Sequence, residues 1–358
     1  MPVTEFILVG DTHIGRLEST FAKHDWLKWS FAPLYEVEQY AIKHGIKYII
    51  QTGDVFDVPA PGQHLLRALA AFLLRSRLNW YFGIGNHDIS HRGRHSLVLL
   101  HYLSRRIATN NWRFYPKSTA TRIGRIPVIF LPYPVVRHKI LNNQPALVIA
   151  HADRAGMRYD NGRQIRGNKF KLRGHFWAIG HLHEIQTDTN VLFPGAVSQL
   201  RFGDGENKYF CHLRVRHDRT GISVKYKRIR FTPAFRLRDF RVDSLKSLKR
   251  LDLSDPTVFY RLIIQQDMAV PEQYFNHPQV ISHKFYGDEK DIRAIKTEMF
   301  NLRTAKLTVT DRLAALEIWL RRNTKLSRRR IRLAVKYATA RERSLLGGIN
   351  GRDRISRR

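Results

Sequence analysis

Five segments of this chain share one grammar: a short apolar run, a small residue, then a side chain that can hold a metal. They are Gly10-Asp11-Thr12-His13, Gly53-Asp54-Val55-Phe56-Asp57, Gly85-Asn86-His87-Asp88, Ala150-His151-Ala152-Asp153 and Gly180-His181-Leu182-His183. The runs before them, at 5–9, 46–51, 80–84, 146–150 and 176–179, are too short for helices and mostly bounded by Gly or Pro, as buried strands are. A further run at 126–131 follows the same pattern. Between them lie helical patterns at 29–44 (with Phe31, Leu34, Tyr35, Val37, Ala41 and Ile42), at 63–78 and at 96–107. Strand alternating with helix predicts a layered α/β domain. Ligands of such sheets sit just beyond the strand C-termini, so the five motifs are expected at one rim.

The residue types define the chemistry. Asp11 and His13 alternate in an extended turn and can face one ion. Asp54 can bridge two ions through its two carboxylate oxygens. Asn86 offers an uncharged carbonyl oxygen, and His151, His181 and His183 offer imidazole nitrogens. Seven ligands divide four and four only if Asp54 is shared. A shell of carboxylate, imidazole and amide suits manganese, iron, zinc or magnesium. Two such cations about 3.5–4 Å apart can clamp the attacking and leaving oxygens of a phosphodiester. A lone Gly-Asp or His-x-His would mean little; five motifs in order are hard to produce by chance. His87 can reach a phosphoryl or leaving oxygen, or it can serve as a supporting hydrogen bond. Asp57 and Asp88 are placed to orient histidines or backbone, and Asp153 reads as a surface carboxylate.

The chain has 358 residues, 43% of them hydrophobic, which is enough for a substantial core and about two domains. Its formal net charge is +32, an excess that favours a polyanionic partner, nucleic acid first and an anionic membrane surface second. The bland alternative is a compositional bias. Cys211 is the single cysteine, so no internal disulfide forms and no thiolate set competes for metal; a reducing compartment fits. The first ten residues have no basic stretch before their apolar run and read as a strand, not a signal peptide. No apolar stretch approaches the roughly 20 residues of a membrane span. A cytoplasmic protein with no membrane partner is expected.

Together, GDTHIG, GDVFD, GNHD, a His after a later strand, and GHLH resemble the calcineurin-like metallophosphoesterase superfamily. Within it the chain is most similar to SbcD-type nucleases of the Mre/Rad double-strand-break repair complex. GDVFD resembles their pattern and lacks the Asp-Arg-Gly continuation of protein phosphatases. Residues 193–199 and Phe202-Gly203 resemble the strand and loop after their GHxH. The resemblance covers about residues 1–230. It departs at Ala150, where the family commonly has Gly; only the imidazole of His151 is needed. Other departures are the shorter length and greater basicity. Short relatives occur in large bacteriophages as recombination nucleases, so a phage-infected bacterial cell is the implied setting.

The resemblance implies an α/β (α+β) fold: a β-sandwich of mixed sheets flanked by helices, with a small α/β capping domain and a basic helical C-terminal region. It implies two Mn2+ ions, Asp11, His13, Asp54 and His183 holding one, and Asp54, Asn86, His151 and His181 the other, with His87 as the catalytic histidine. Its partners would be DNA and an SbcC-type, SMC-like ABC ATPase subunit, within a homodimer; residues 96–107 are a candidate pairing surface. The implied activity is metal-dependent double-strand exonuclease and single-strand endonuclease. Two readings compete: a small-molecule or cyclic-nucleotide phosphodiesterase, and a DNA-end-binding scaffold with a vestigial site.

Expected domains are 1–232 (nuclease), 233–300 (cap) and 301–358. Paired strands at 208–215 and 222–230 close the first; strand-like runs at 236–242 and 258–264 belong to the second. The third has 17 Lys and Arg against 4 Asp and Glu. Thr310 can cap a helix with the stripe Leu313, Leu316, Trp319 and Leu320; a second pattern holds Ile331, Val335 and Ala338, with Arg328-Arg329-Arg330 between. This pair either folds back on its own domain or docks on the partner's coiled coil and on DNA phosphates.

Overall fold

A computed structural model describes residues 3–21, 24–90, 93–106, 111–135, 144–160, 162–166, 174–218, 221–265, 270–286, 314–318 and 335. In chain order the elements are β1 (Thr4–Val9), α1 (Trp26–Lys43), β2 (Tyr48–Gln51), α2 (Gln63–Arg75), β3 (Asn79–Phe82), α3 (Val98–Arg106), β4 (Trp112–Phe114), β5 (Thr119–Ile123) and β6 (Ile126–Leu131). Then come β7 (Leu147–His151), β8 (Phe176–Gly180), β9 (Gln186–Asp188), β10 (Val191–Phe193), β11 (Tyr209–His217) and β12 (Ile222–Arg230). The chain continues through β13 (Arg236–Val242), α4 (Leu245–Leu248), β14 (Val258–Gln265), α5 (Glu272–Phe275) and β15 (Val280–Tyr286).

Two mixed six-stranded sheets form an α/β sandwich. The first runs β12-β11-β1-β2-β3-β4 and the second β5-β6-β7-β8-β10-β9; β13, β14 and β15 make a separate three-stranded sheet. Strands β1 to β4 are parallel neighbours, with β11 antiparallel on the other side of β1. In the second sheet β6, β7, β8 and β10 are parallel.

Both faces of the central strands are apolar, which is why their sequences read as runs and not as alternation. Phe6 and Leu8 of β1, Ile50 of β2, and Cys211, Leu213 and Val215 of β11 meet Val128, Phe130, Leu147, Ile149, Phe176 and Ala178 between the sheets. The intervening residues turn outward. On the first sheet they meet helices: Phe72 of α2 makes an edge contact with Trp80 of β3 at 5.4 Å, and Tyr40 of α1 with Phe210 of β11 at 5.1 Å. Those helices bury the spacing that predicts them: Phe31, Leu34, Val37 and Ala41 in α1, and Leu65, Leu69, Phe72 and Leu73 in α2. On the second sheet, among the described residues, Met157 and Ile165 from the segment between β7 and β8 pack on Val148, Trp177 and Ile179.

Contacts divide the chain into two units, Met1–Arg238 with Leu253–Tyr260, and Asp239–Asp252 with Arg261–Arg358. Residues 287–300 of the expected cap, and all of 301–358 except 314–318 and 335, lie outside the described residues. Residues 314–318 are helical and Leu316 is buried. The basic run 328–330 and the rest of the second helical pattern are not described. Among the described residues, no helix is long and apolar enough to cross a membrane.

Candidate metal centre

The motifs do converge at strand C-termini. Asp11 and His13 follow β1, Asp54 follows β2, and Asn86 and His87 follow β3. In the other sheet His151 closes β7, and His181 and His183 follow β8. The two sheets are stitched here: Asp11 donates its N–H to the Gly195 carbonyl at 3.2 Å and accepts from the Val197 N–H at 3.1 Å. The backbone is bent to aim the side chains. His13, Asp54 and His181 all have positive φ, 43°, 52° and 100°, a costly region for non-glycine residues that persists where surroundings fix it. The fixing bonds are visible: the His13 N–H donates to the Asp54 carbonyl (3.0 Å) and the His181 N–H to Asp11 Oδ2 (2.9 Å). Gly180 must be glycine, because a Cβ there would lie 2.6 Å from His151 Nδ1 and 2.7 Å from Asp11 Oδ1. Ala150 needs no such space; its methyl joins the apolar cluster outside the second sheet.

Two groups of ligand atoms result. Asp11, His13 and His183 form one and Asp54, His151 and His181 the other, each set of atoms lying within 4.8 Å. Asn86 belongs to the second: its Oδ1 is 3.0 Å from His151 Nε2 and 2.9 Å from His181 Nδ1. Asp54 Oδ2 joins the groups, 3.5 Å from His13 Nε2 and 3.3 Å from His151 Nε2. Asp54 Oδ1 also accepts the His87 N–H at 2.8 Å, which fixes the carboxylate's orientation. Asp11 Oδ1 and His13 Nε2 are buried with no hydrogen-bond partner. Buried polar atoms are rarely left so. Cations between these oxygens and nitrogens would satisfy them, so the donor set fits a pair of divalent metals.

His13, Asp57 and His87 form a third compact triple, and hydrogen bonds account for it. Asp57 Oδ1 is 3.2 Å from His13 Nδ1, and the Asp57 carbonyl accepts from His87 Nδ1 at 2.8 Å. Asp57 thus fixes the His13 tautomer with Nε2 toward the site. Asp88 orients backbone, accepting from the N–H groups of Val55, Phe56 and Gly85 and from Ser96 Oγ at 3.0–3.2 Å.

Two further carboxylates escape the sequence reading. Asp153 is not simply a surface group; its Oδ1 lies 3.2 Å from His181 Nε2, and its Oδ2 accepts from Tyr159 at 2.8 Å. Asp160 lies 3.1 Å from His183 Nδ1 and is held by Arg201 at 3.0 Å. Buried Lys208 completes the grip, donating to the His183 carbonyl at 3.1 Å and to Glu184 at 2.6 Å. No motif spacing marks Asp160. The available signal is that Asp153 and Asp160 are the only acids between His151 and Phe176.

Electrostatics follow from crowding buried charge. Burial opposes ionisation of Asp54, but His151, His13 and His87 outweigh it and hold the carboxyl well below the usual carboxylate range. Burial pushes Asp11 above that range, against the pull of His151. Burial also disfavours charge on His151, yet Asp54 and Asp11 raise it to about 9. The metal-free centre therefore keeps a proton where a cation would sit. His181 is lowered, by burial and by the neighbouring His151. His183 is raised despite burial, through Asp160 and Asp11. Asp88 is pushed up to about 6 by burial and the Asp54 charge.

Residues 4–184, just over half of the chain, match the family described as Calcineurin-like phosphoesterase. Exonuclease subunit 1 of Enterobacteria phage T4 is 23% identical over 212 residues. That similarity takes in 55% of this chain and 60% of the phage protein.

Proposed function

Because this chain belongs to the calcineurin-like phosphoesterase family, we propose that it hydrolyses the phosphodiester backbone of DNA, as a metal-dependent double-strand exonuclease and single-strand endonuclease. The observation that carries the step from phosphoesterase to nuclease is the similarity to a phage exonuclease subunit. A net charge of +32 supports it, since a small substrate gains little from such an excess. In this reading Asp11, His13, Asp54 and His183 hold one ion, and Asp54, Asn86, His151 and His181 the other. When bound, two divalent ions, Mn2+ first among Mg2+, Fe2+ and Zn2+, supply an activated water and neutralise developing phosphoryl charge.

The protein supplies orientation and a proton. His87 is fixed through Nδ1, which donates to the Asp57 carbonyl, and its ring stands edge-on to His13 at 4.7 Å. Nε2 is then the free atom of a side chain 38% exposed beside the centre. A protonated His87 there can donate to a phosphoryl oxygen or to the leaving oxygen. The proposal extends to an SbcC-type ATPase partner and to pairing of two copies. Val98, Leu99 and Tyr102, each more than half exposed on α3, support such a pairing surface.

Cleavage of end-labelled linear duplex DNA, beside bis-p-nitrophenyl phosphate, tests the reading with manganese and with EDTA. Both substrates should be hydrolysed with the metal and neither with the chelator. Turnover of the small ester alone would instead support a small-molecule or cyclic-nucleotide phosphodiesterase.

A further inference from the structure

The segment from His151 to Phe176 holds seven Lys and Arg and two Asp. Both acids face inward, Asp153 to His181 and Asp160 to His183. Neither acid pairs with Arg158 or Arg166. Part of it is a firm hairpin. Ile165 N–H donates to the Met157 carbonyl at 2.8 Å and Tyr159 N–H to the Arg163 carbonyl at 3.0 Å, with Arg158 paired antiparallel to Gln164. Gly162, at φ +80°, makes the turn. Met157 and Ile165 anchor it in the apolar cluster on the second sheet. Gln186 clamps the Arg158 backbone, accepting its N–H at 2.9 Å and donating to its carbonyl at 2.6 Å.

On this anchored base the side chains of Arg158, Arg163 and Arg166 are exposed. Arg158 and Arg166 have no ion-pair partner among the described residues. Arg201, 55% exposed, stands beside them on Asp160. Arginines on a flexible loop would be an ordinary solvated surface. These sit on a rigid element whose other face holds two of the ligand histidines.

We propose that the hairpin of residues 157–160 and 162–165, with Arg158, Arg166 and Arg201, is a clamp for the phosphodiester backbone of a nucleic-acid strand at the metal centre; this rests on the nuclease reading. Arginine suits the role because its planar fork can meet phosphate oxygens in pairs. Asp160 and Asp153 link the clamp to the ligands, so strand binding and ligand placement share one support.

The test uses the full chain, a fluorescein-labelled single strand and its duplex, and EDTA to prevent cleavage. Anisotropy titrations across salt compare wild type with R158E/R166E, the neutral R158Q/R166Q, and a matched reversal on exposed β12 residues, K225E/K227E. The clamp predicts at least about tenfold weaker binding by R158E/R166E, with a log–log salt slope shallower by about 1.5–2. R158Q/R166Q should show the same slope change, and K225E/K227E a loss below about threefold. With manganese, R158Q/R166Q should lose at least about ten times more activity on the strand than on bis-p-nitrophenyl phosphate. Equal losses in hairpin and β12 variants would overturn the clamp, leaving only bulk charge. Wild-type binding matched by the hairpin variants would remove the clamp and spare the nuclease; wild type that bound neither oligonucleotide would remove both.

Discussion

His183 is held at its ring by Asp160 and at its carbonyl by Lys208, and His13 by Asp57. A candidate ligand histidine so fixed would lose little freedom when a cation arrives. Asp160→Asn should weaken manganese binding about 10–100-fold, read by calorimetry, because the Nδ1 partner of His183 loses its charge. His87 predicts the opposite pattern. It lies outside both cation groups, so His87→Ala should keep manganese affinity and lose at least about a hundredfold in kcat; unimpaired turnover would remove it from the mechanism. The pH dependence follows from His151. Its folded value, about 9, is raised above the ordinary 6.5, so its contribution to metal-free stability is full below 6.5 and lost as pH rises through 9. A cation needs the neutral ring, so apparent affinity should climb up to about tenfold per pH unit below 9, with proton release. Calorimetry at pH 7 and 8, in buffers of different ionisation enthalpy, checks this; equal affinities without proton release would contradict it. At this scale the convergence of the seven candidate ligands and His87 was legible because each sits in a motif at a strand end. Asp160 was not, since only the folded hairpin carries it to His183.

The elements follow from burial on both faces. Strands β1, β2, β3, β7 and β8 announce themselves as apolar runs, and α1 and α2 as amphipathic spacing. Helix ends shifted by up to three residues: α1 starts at Trp26, where the apolar pattern begins at 29, and α2 stops at Arg75 before the extended Ser76. The short strands β4, β5, β9 and β10 have three to five residues each. They are defined by neighbours more than by their own pattern, which is why the sequence is quiet about them. The apolar seam between the sheets aligns the motifs. Phe130, 1% exposed, stacks on Tyr115 at 3.9 Å within it. Phe130→Ala should cost about 3–5 kcal/mol by urea denaturation. A loss below about 1 kcal/mol would mean the seam is not closely packed there.

For the whole molecule, charge and motif answer different questions. The motifs define a phosphoesterase, and the +32 charge bears on what it acts upon. Charge is visible in composition, but its placement is not. The hairpin between β7 and β8 concentrates arginine beside the centre only because Met157 and Ile165 pin it there. The proposed chemistry depends on two cations meeting across Asp54. The most direct measurement is manganese anomalous scattering from crystals of the full chain soaked in the metal. Two peaks are expected about 3.5–4 Å apart, one within Asp11, His13 and His183, the other within Asn86, His151 and His181, with Asp54 touching both. A single peak, or two that do not share Asp54, would contradict it.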